Sequence, residues 1–517
     1  MKHVFFTFLL GAVFCMGLQS QEMAVDYTVG EKFGDRHRYS NTLVMQHDHQ
    51  GNTVVVRNYY AGVVLRPKGY LIEIYDKDLN LAAEFNYKLK DVDFVEGYVK
   101  NGQIYLIFLK YDFKERAYQY EVHRSPLGEF NFGVETLLSI PSEPVGQPYD
   151  RNYYNRNFGS GFTTTLLTDL GKSGFVISTH FKKGKDKRHY IHVFDHSLNK
   201  VMEHDFSSQI ETKNYSFENV AISHDLKDVY IVGKAYFKKK RFQVNERKFQ
   251  YELLHLDAGG IHLQTFNEPG KFPESLIPIR HQDHLYCVGF YADRKDHRYN
   301  GLVFYDLDPI TLSVGTKRYN AFTEQFMEDK FGREVDKEIK NLVFKNALID
   351  TEGNILFNAE EYFVTESTQD NVSGGRIRVK RFHHNDIICA KMSASGNMLW
   401  ARNINKTEVT QGDGAYVSYS SHAKDGDTFI FMSSAAEQPQ LLPGERLFFK
   451  QGLGRNRNLF VITLSPEGKI GYQKIIDDKE ARLPIMVAIP LIDTQKDEMV
   501  FYAKRGSKKQ LVKMRIK

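Results

Sequence analysis

The chain has 517 residues, room for several ordinary domains or for one long repeat array. Its 42% hydrophobic content supports a sizeable core, and 30 Tyr with 38 Phe lean towards strand. Only 14 Pro beside 38 Gly excludes a proline-rich linker protein, and a net charge of +5 says nothing about partners until its distribution is known.

The chain opens with MKHVFFTFLLGAVFCMGLQSQE (1–22), where Lys2 and His3 precede an apolar run from Val4 to Met16 and then small and polar residues. This is the pattern of a secretory signal peptide, with cleavage expected near Ser20 or Gln21. The expected organisation is therefore a signal peptide over 1–21 and one domain over 22–517, periplasmic or extracellular. Phe14 stands where lipoprotein signals carry a small residue, so Cys15 is not read as a lipid anchor. No later segment has the roughly 18 uninterrupted apolar residues of a membrane helix, so no transmembrane segment is expected. Cys287 and Cys389 then remain, in the apolar contexts LYCVGF and IICAKM. Buried free thiols are favoured there, a single bridge is left open, and a disulfide scaffold is excluded.

A repeat of about 50 residues runs through the rest. Its clearest marker is an apolar strand, a turn rich in Asp, Ser, Asn or Gly, and a second strand. The marker appears as YLIEIYDKDLNLAAEF (70–85), YIHVFDHSLNKVMEHDF (190–206), YELLHLDAGGIHLQTF (251–266), IICAKMSASGNMLWARNI (387–404) and LFVITLSPEGKIGYQKII (459–476). Such turns need residues that tolerate left-handed backbone or cap it with a side chain. A second hairpin precedes each, as in NTLVMQHDHQGNTVVVR (41–57) and LVFKNALIDTEGNILFN (342–358). Each unit thus reads as strand A, tight turn, strand B, longer loop, strand C, tight turn, strand D.

Evenly spaced short strands in this rhythm predict an all-β chain, a β-propeller of four-stranded antiparallel blades. The blades are expected at about 41–90, 93–141, 162–208, 217–268, 275–322, 341–406, 414–477 and 484–517. The last unit supplies only three strands, and 23–30, MAVDYTVG, is the candidate for the fourth. Pairing of the N- and C-terminal strands would then close the ring and hide an apolar edge. Eight blades are favoured and seven are the alternative. Two long D–A connections stand out: 142–161, rich in Tyr, Asn and Arg, and 321–341, whose Phe322 and Phe326 suit a short amphipathic helix.

In a propeller the B–C and D–A loops share one face. The eight B–C loops expected at 58–69, 110–117, 182–189, 238–248, 292–300, 362–385, 435–457 and 504–510 hold 31 of the 69 basic residues and only 10 of the 64 acidic ones. Solubility alone would enrich both signs, so a positive face is expected. Its candidate binding residues are Lys182, Lys183, Lys185, Lys187, Arg188, Lys238, Lys239, Lys240, Arg241, Arg247, Lys248, Lys504, Arg505, Lys508 and Lys509. Aromatic pairs close several B strands: Tyr59–Tyr60, His180–Phe181, Tyr236–Phe237, Phe290–Tyr291 and Tyr362–Phe363. They could stack sugars or bases, or simply pack between blades.

Other motifs carry less. LGKSG (170–174) lacks the first Gly of a phosphate loop, since position 166 is Leu166. His47 and His49, and His383 with His384, have no further ligands at metal spacing, so no metal and no cofactor is expected. No G-x-S-x-G nucleophile motif is present.

The rhythm resembles the β-propeller superfamily of exported bacterial type, in a branch without signature motifs. The Trp-Asp blade ending, the Asp boxes of sialidases and the tryptophan-docking motif are all missing, and Trp400 is the only Trp. The resemblance implies a rigid platform and carries over no active site. Two functions follow as expectations. One is a binding or scaffold protein whose basic face takes an anionic polysaccharide or another envelope protein, with nucleic acid disfavoured by export. The other is a polysaccharide lyase on uronate-containing glycans, with Tyr149, Tyr153, Tyr154, Arg156 and His180 as candidate acid–base and carboxylate-binding groups.

Overall fold

The computed structural model describes residues 24–517, apart from 63–64, 142–161, 169–172, 184–185, 209–212, 238–248, 267, 294–297, 334–337, 371–374, 413, 436, 445, 452–456 and 482. Its strands fall into eight sheets taken up in chain order. Tyr39–His47, Thr53–Ala61, Arg66–Tyr75 and Leu81–Tyr87 form the first, as strands A, B, C and D. The next six sheets span 93–141, 162–205, 213–266, 271–321, 342–410 and 420–476. In the eighth, Leu491–Asp493, Glu498–Arg505 and Lys508–Ile516 are joined by Val25–Val29. That N-terminal strand runs antiparallel to Lys508–Ile516, with Val25 opposite Ile516 and Val29 opposite Val512. The architecture is an eight-bladed β-propeller.

Strands B and C are buried on both faces and read as unbroken apolar runs, such as Val229, Tyr230, Ile231 and Val232 in blade 4. This is the signature of strands sandwiched between layers. Outer strands alternate instead, as in Leu81–Tyr87. The apolar side chains gather in eight clusters, each shared by neighbouring blades, one of them bringing Val55 and Tyr75 of blade 1 against Val500 and Tyr502 of blade 8. Burial of that area holds the blades together, at roughly 25 cal/mol per Å².

The tight turns share one chemistry. Asp48, Asp76, Asp195 and Asp350 each accept the backbone N–H two and four residues on, and each also takes the side-chain amide of an Asn four residues on. The residue between needs positive φ. Glycine supplies it at Gly51 and Gly353, whereas Leu79 and Leu198 adopt φ of 66° and 70°. Leu79 is almost fully buried, so packing offsets the strain of its backbone.

At the opposite end the strands run further than the sequence rule suggests. Blade 8 turns through Gly506 and Ser507 alone, and in blade 3 strand B reaches Lys183 while strand C begins at Asp186. In blade 6, strands Ile355–Asp370 and Arg376–Met392 stay paired out to Asp370 and Arg376, forming a long arm. Val364, Ile377 and Val379 alternate with polar residues there, so the ladder continues where charge alone suggests a loop. The B–C connection of blade 7 folds into its own hairpin, Gln440–Leu442 and Arg446–Lys450. Its second strand pairs in parallel with Asn405–Thr407 of blade 6.

Between blades 5 and 6 lies a helix, α1 (Glu324–Phe331). Thr323 caps it by accepting the Phe326 N–H at 3.2 Å, and Gly332 ends it at φ 67°. Phe326 is fully buried and stacks on Phe322 at 4.2 Å.

Candidate functional site

Of the residues singled out from the sequence, only some are described. Tyr149, Tyr153, Tyr154 and Arg156 lie outside the described residues, as do Lys185, Lys238, Lys239, Lys240, Arg241, Arg247 and Lys248. Lys182 and Lys183 end strand B of blade 3, Lys187 and Arg188 begin its strand C, and Lys182 stands opposite Lys187. His180 stands opposite His189, their rings 5.6 Å apart. The Nε2 atom of His189 lies 2.7 Å from the Ser178 hydroxyl oxygen. Burial, assisted by His180, lowers the pKa of His189 to about 3, so this ring is neutral.

In blade 8 the four basic residues divide by strand alternation. Arg505 and Lys508 are exposed, while Lys504 and Lys509 point into the contact with blade 1. Lys504 pairs with Asp35 and donates to the His37 carbonyl at 2.8 Å. Lys509 pairs with Glu73 at 2.9 Å and with Glu84. Arg57, itself fully buried, bridges Asp35 at 2.9 Å and Glu73. Tyr75 and Tyr502 each donate a hydroxyl to Glu73. Burial alone would raise the Glu73 pKa, but Arg57 and Lys509 hold it below the usual carboxylate range. The charges of Lys504 and Lys509 are thus met inside the protein. This corrects their placement among ligand-facing loop residues.

The aromatic pairs divide between interblade packing and the surface. Tyr59, Phe181, Phe290 and Tyr291 are buried, while Tyr60, His180, Tyr236, Tyr362 and Phe363 keep partial exposure. Phe363 stacks on His383 at 4.4 Å, along the blade 6 arm.

That arm carries the clearest basic surface among the described residues. Arg376, Arg378 and Lys380 alternate along one strand and so share a face, and all three are exposed. Arg376 faces Asp370 at 3.6 Å and Lys380 faces Glu366 at 3.0 Å. Such exposed pairs are weak. Arg378 has no carboxylate at ion-pair distance among the described residues. Arg66, Lys114, Arg116 and Arg298 are further exposed cations at this end of the blades.

A second buried network lies at the base of the arm. Lys406, fully buried, contacts Glu360 at 2.9 Å and Glu408 at 3.0 Å. His384 Nδ1 and the Ser418 hydroxyl reach the other Glu360 oxygen. Burial would raise the Glu360 pKa, yet Lys406 keeps this carboxyl well below its ordinary value. Beside it Lys330 of α1 bridges Glu361 at 2.8 Å and Asp386 at 2.6 Å. Little in the sequence announces this network. Its one signal was the run of charges inside strand NINKTEV (403–409), which looks like any polar strand end.

At the opposite end of blade 4, ligand atoms of Asp228, His255 and Asp257 lie within 4.8 Å of one another. His255 Nε2 is 2.7 Å from Asp228, and one Asp257 oxygen accepts the Gly259 and Gly260 amides. His255 thus ties the end of the first turn of the blade, at Asp228, to the strand that leads into the second turn at Asp257.

No protein-family model matches the chain, and no curated protein matches it. Among solved structures it is similar to the β-propeller domain of the trilobed protease from Pyrococcus furiosus, at 9% identity and a TM-score of 0.36. That match covers 87% of this chain and 98% of the other. Prolyl oligopeptidase B from Galerina marginata matches at 10% identity and a TM-score of 0.40, over 92% of this chain and 55% of the other. Pyrococcus horikoshii acylaminoacyl peptidase matches at 10% identity and a TM-score of 0.33, over 81% and 52%. The chain thus spans about half the length of these two peptidases. The fold assignment stands on the eight sheets themselves.

Proposed function

We propose that this propeller is an exported binding or scaffold protein whose B–C face takes an anionic polysaccharide. The observation that carries the reading is charge segregation: the expected B–C segments hold 31 basic and 10 acidic residues in a chain of net charge +5. The exposed row Arg376, Arg378 and Lys380 on the blade 6 arm supports it from the structural side. The cations of these segments that lie in buried networks, Lys504 and Lys509, reduce the available charge without removing it. Exposed cations on a rigid surface attract a polyanion over about a Debye length, ~10 Å at 0.1 M salt.

The test is binding of alginate, a polyuronate, at low and high salt. Binding that weakens steeply as salt rises supports the reading, and absent or salt-insensitive binding removes it. The same mixtures, assayed for unsaturated uronate product, test the lyase alternative.

A further inference from the structure

Three neighbouring strands of blade 4 bring two histidines and two aspartates together at the tight-turn end. His255 and Asp257 alternate along strand C (Phe249–Asp257) and so share a face. His262 of strand D (Gly260–Phe266) stands directly opposite His255, as Tyr230 of strand B (Val229–Phe237) does on its other side. Asp228 immediately precedes strand B. The His255 ring is held between Tyr230, near-parallel at 4.8 Å, and His262 at 5.7 Å. Its Nε2 atom lies 2.7 Å from the Asp228 carboxylate.

The charges of this group do not balance. Ligand oxygens of Asp228 and Asp257 lie within 4.8 Å of each other and of a His255 ring nitrogen. Among the described residues neither carboxylate has a Lys or Arg at ion-pair distance. Lys227, adjacent in the chain, pairs with Asp225 at 3.0 Å instead. Elsewhere in this chain clustered carboxylates surround a cation of the protein's own: Asp35 and Glu73 meet on Arg57, and Glu360 and Glu408 on Lys406. At Asp228 and Asp257 no such side chain is supplied, so the like charges favour a cation from solution.

The donor chemistry selects zinc. Imidazole nitrogen beside carboxylate oxygen suits Zn²⁺, whereas Ca²⁺ and Mg²⁺ take oxygen sets. Bonds of ~2.0–2.2 Å place tetrahedral ligand atoms roughly 3.3–3.6 Å apart. The separations here lie on either side of that range: 2.7 Å from His255 Nε2 to Asp228, and 3.9 Å from His262 Nε2 to Asp257 Oδ2. The other Asp257 oxygen accepts the Gly259 and Gly260 amides at 2.7 and 3.0 Å, which orients Oδ2. The side chains of Asp228, Asp257 and His262 are 34%, 27% and 55% exposed, so three of the four ligands meet solvent. Asp228 also lines a cavity of about 560 Å³ between blades 3, 4 and 5. An ion reaches the group without opening the blade.

We propose that Asp228, His255, Asp257 and His262 bind one Zn²⁺, which cross-links strands B, C and D at the turn end of blade 4. The ion displaces the proton held between His255 Nε2 and Asp228, and that proton leaves to solvent. The inference is independent of the anionic-polysaccharide reading, which concerns the other end of the blades.

The experiment is a calorimetric titration of the chelator-treated full chain with zinc chloride, with calcium and magnesium chloride as comparisons. One Zn²⁺ per chain is expected to bind saturably, at least a hundredfold tighter than Ca²⁺ or Mg²⁺, and to raise the melting temperature. Asp257→Asn keeps the oxygen that accepts the Gly259 and Gly260 amides and loses the charge, while His262→Gln alters an exposed side chain. Each is expected to weaken zinc binding at least tenfold. His284→Gln, at an exposed His–Asp pair of blade 5, leaves it unchanged. Absent saturable binding, Ca²⁺ or Mg²⁺ bound as tightly as Zn²⁺, or wild-type zinc affinity in Asp257→Asn or His262→Gln overturns the proposal. Should one of these variants fail to fold, the other carries the comparison.

Discussion

Lys504 and Lys509 are directly opposite each other across strands B and C of blade 8, two like charges at a position where an exposed sheet loses stability. They are tolerated because both insert into the acids of the neighbouring region, Asp35, Glu73 and Glu84. The pair makes the contact between the last blade and the first one of charge as well as of apolar surface.

Glu73 is the centre of that contact, and removing its charge leaves Arg57 and Lys509 buried without a full complement. Glu73→Gln is expected to cost about 3–5 kcal/mol, the range for breaking a buried ion pair by one partner. Urea unfolding monitored by tyrosine fluorescence measures it, with a lower midpoint and an unchanged slope.

The N-terminal strand is expected to be energetically necessary. Val25 is buried and belongs to the apolar cluster between blades 7 and 8. Val25→Asp places a charge there and is expected to cost about 2–3 kcal/mol or more. Deleting residues 24–30 uncovers the Lys508–Ile516 edge, and light scattering is expected to report association through it.

Stability should fall on the acid side through histidines kept neutral by burial. The folded pKa of His189, about 3, lies below the unfolded value of ~6.5, so the native state binds fewer protons. Its contribution is complete above pH ~6.5 and is lost as pH falls towards 3. His37, His123, His192 and His204 are shifted down as well, burial being the first cause for each. Melting temperatures should therefore drop below pH ~6.5. His189→Gln should flatten that slope by up to one proton.

Cys287 and Cys389 are both buried free thiols, in blades 5 and 6, and burial pushes both pKa values well up. A thiol reagent is expected to modify neither in the folded protein and both in denaturant. Mass spectrometry of protein lacking residues 1–21 counts the modified sites.

The blades were legible because their information is local. The Asp-turn and apolar strand pairs at 70–85 and 190–206 each specify a hairpin from about sixteen consecutive residues. The terminal strand was legible for a related reason, since three apolar strands at 484–517 demand a fourth. Side-chain destinations at the B–C end were not. Lys504 and Arg505 are adjacent and chemically similar, yet strand alternation buries one and exposes the other, and only the continuation of the ladder to Arg505 decides which. The blade 4 cluster was equally hidden, because Asp228 and His255 lie 27 residues apart and meet only through the strand register. No spacing rule links them.

The most direct test of the basic face is a pair of charge-reversed proteins compared for alginate binding at low salt. One carries Arg376→Glu, Arg378→Glu and Lys380→Glu on the blade 6 arm. The other carries three reversals at exposed lysines of the opposite end, Lys77, Lys227 and Lys469. The account predicts at least tenfold weaker binding for the arm variant alone, with both proteins folded. Equal loss in the two variants, or full binding by the arm variant, would contradict it.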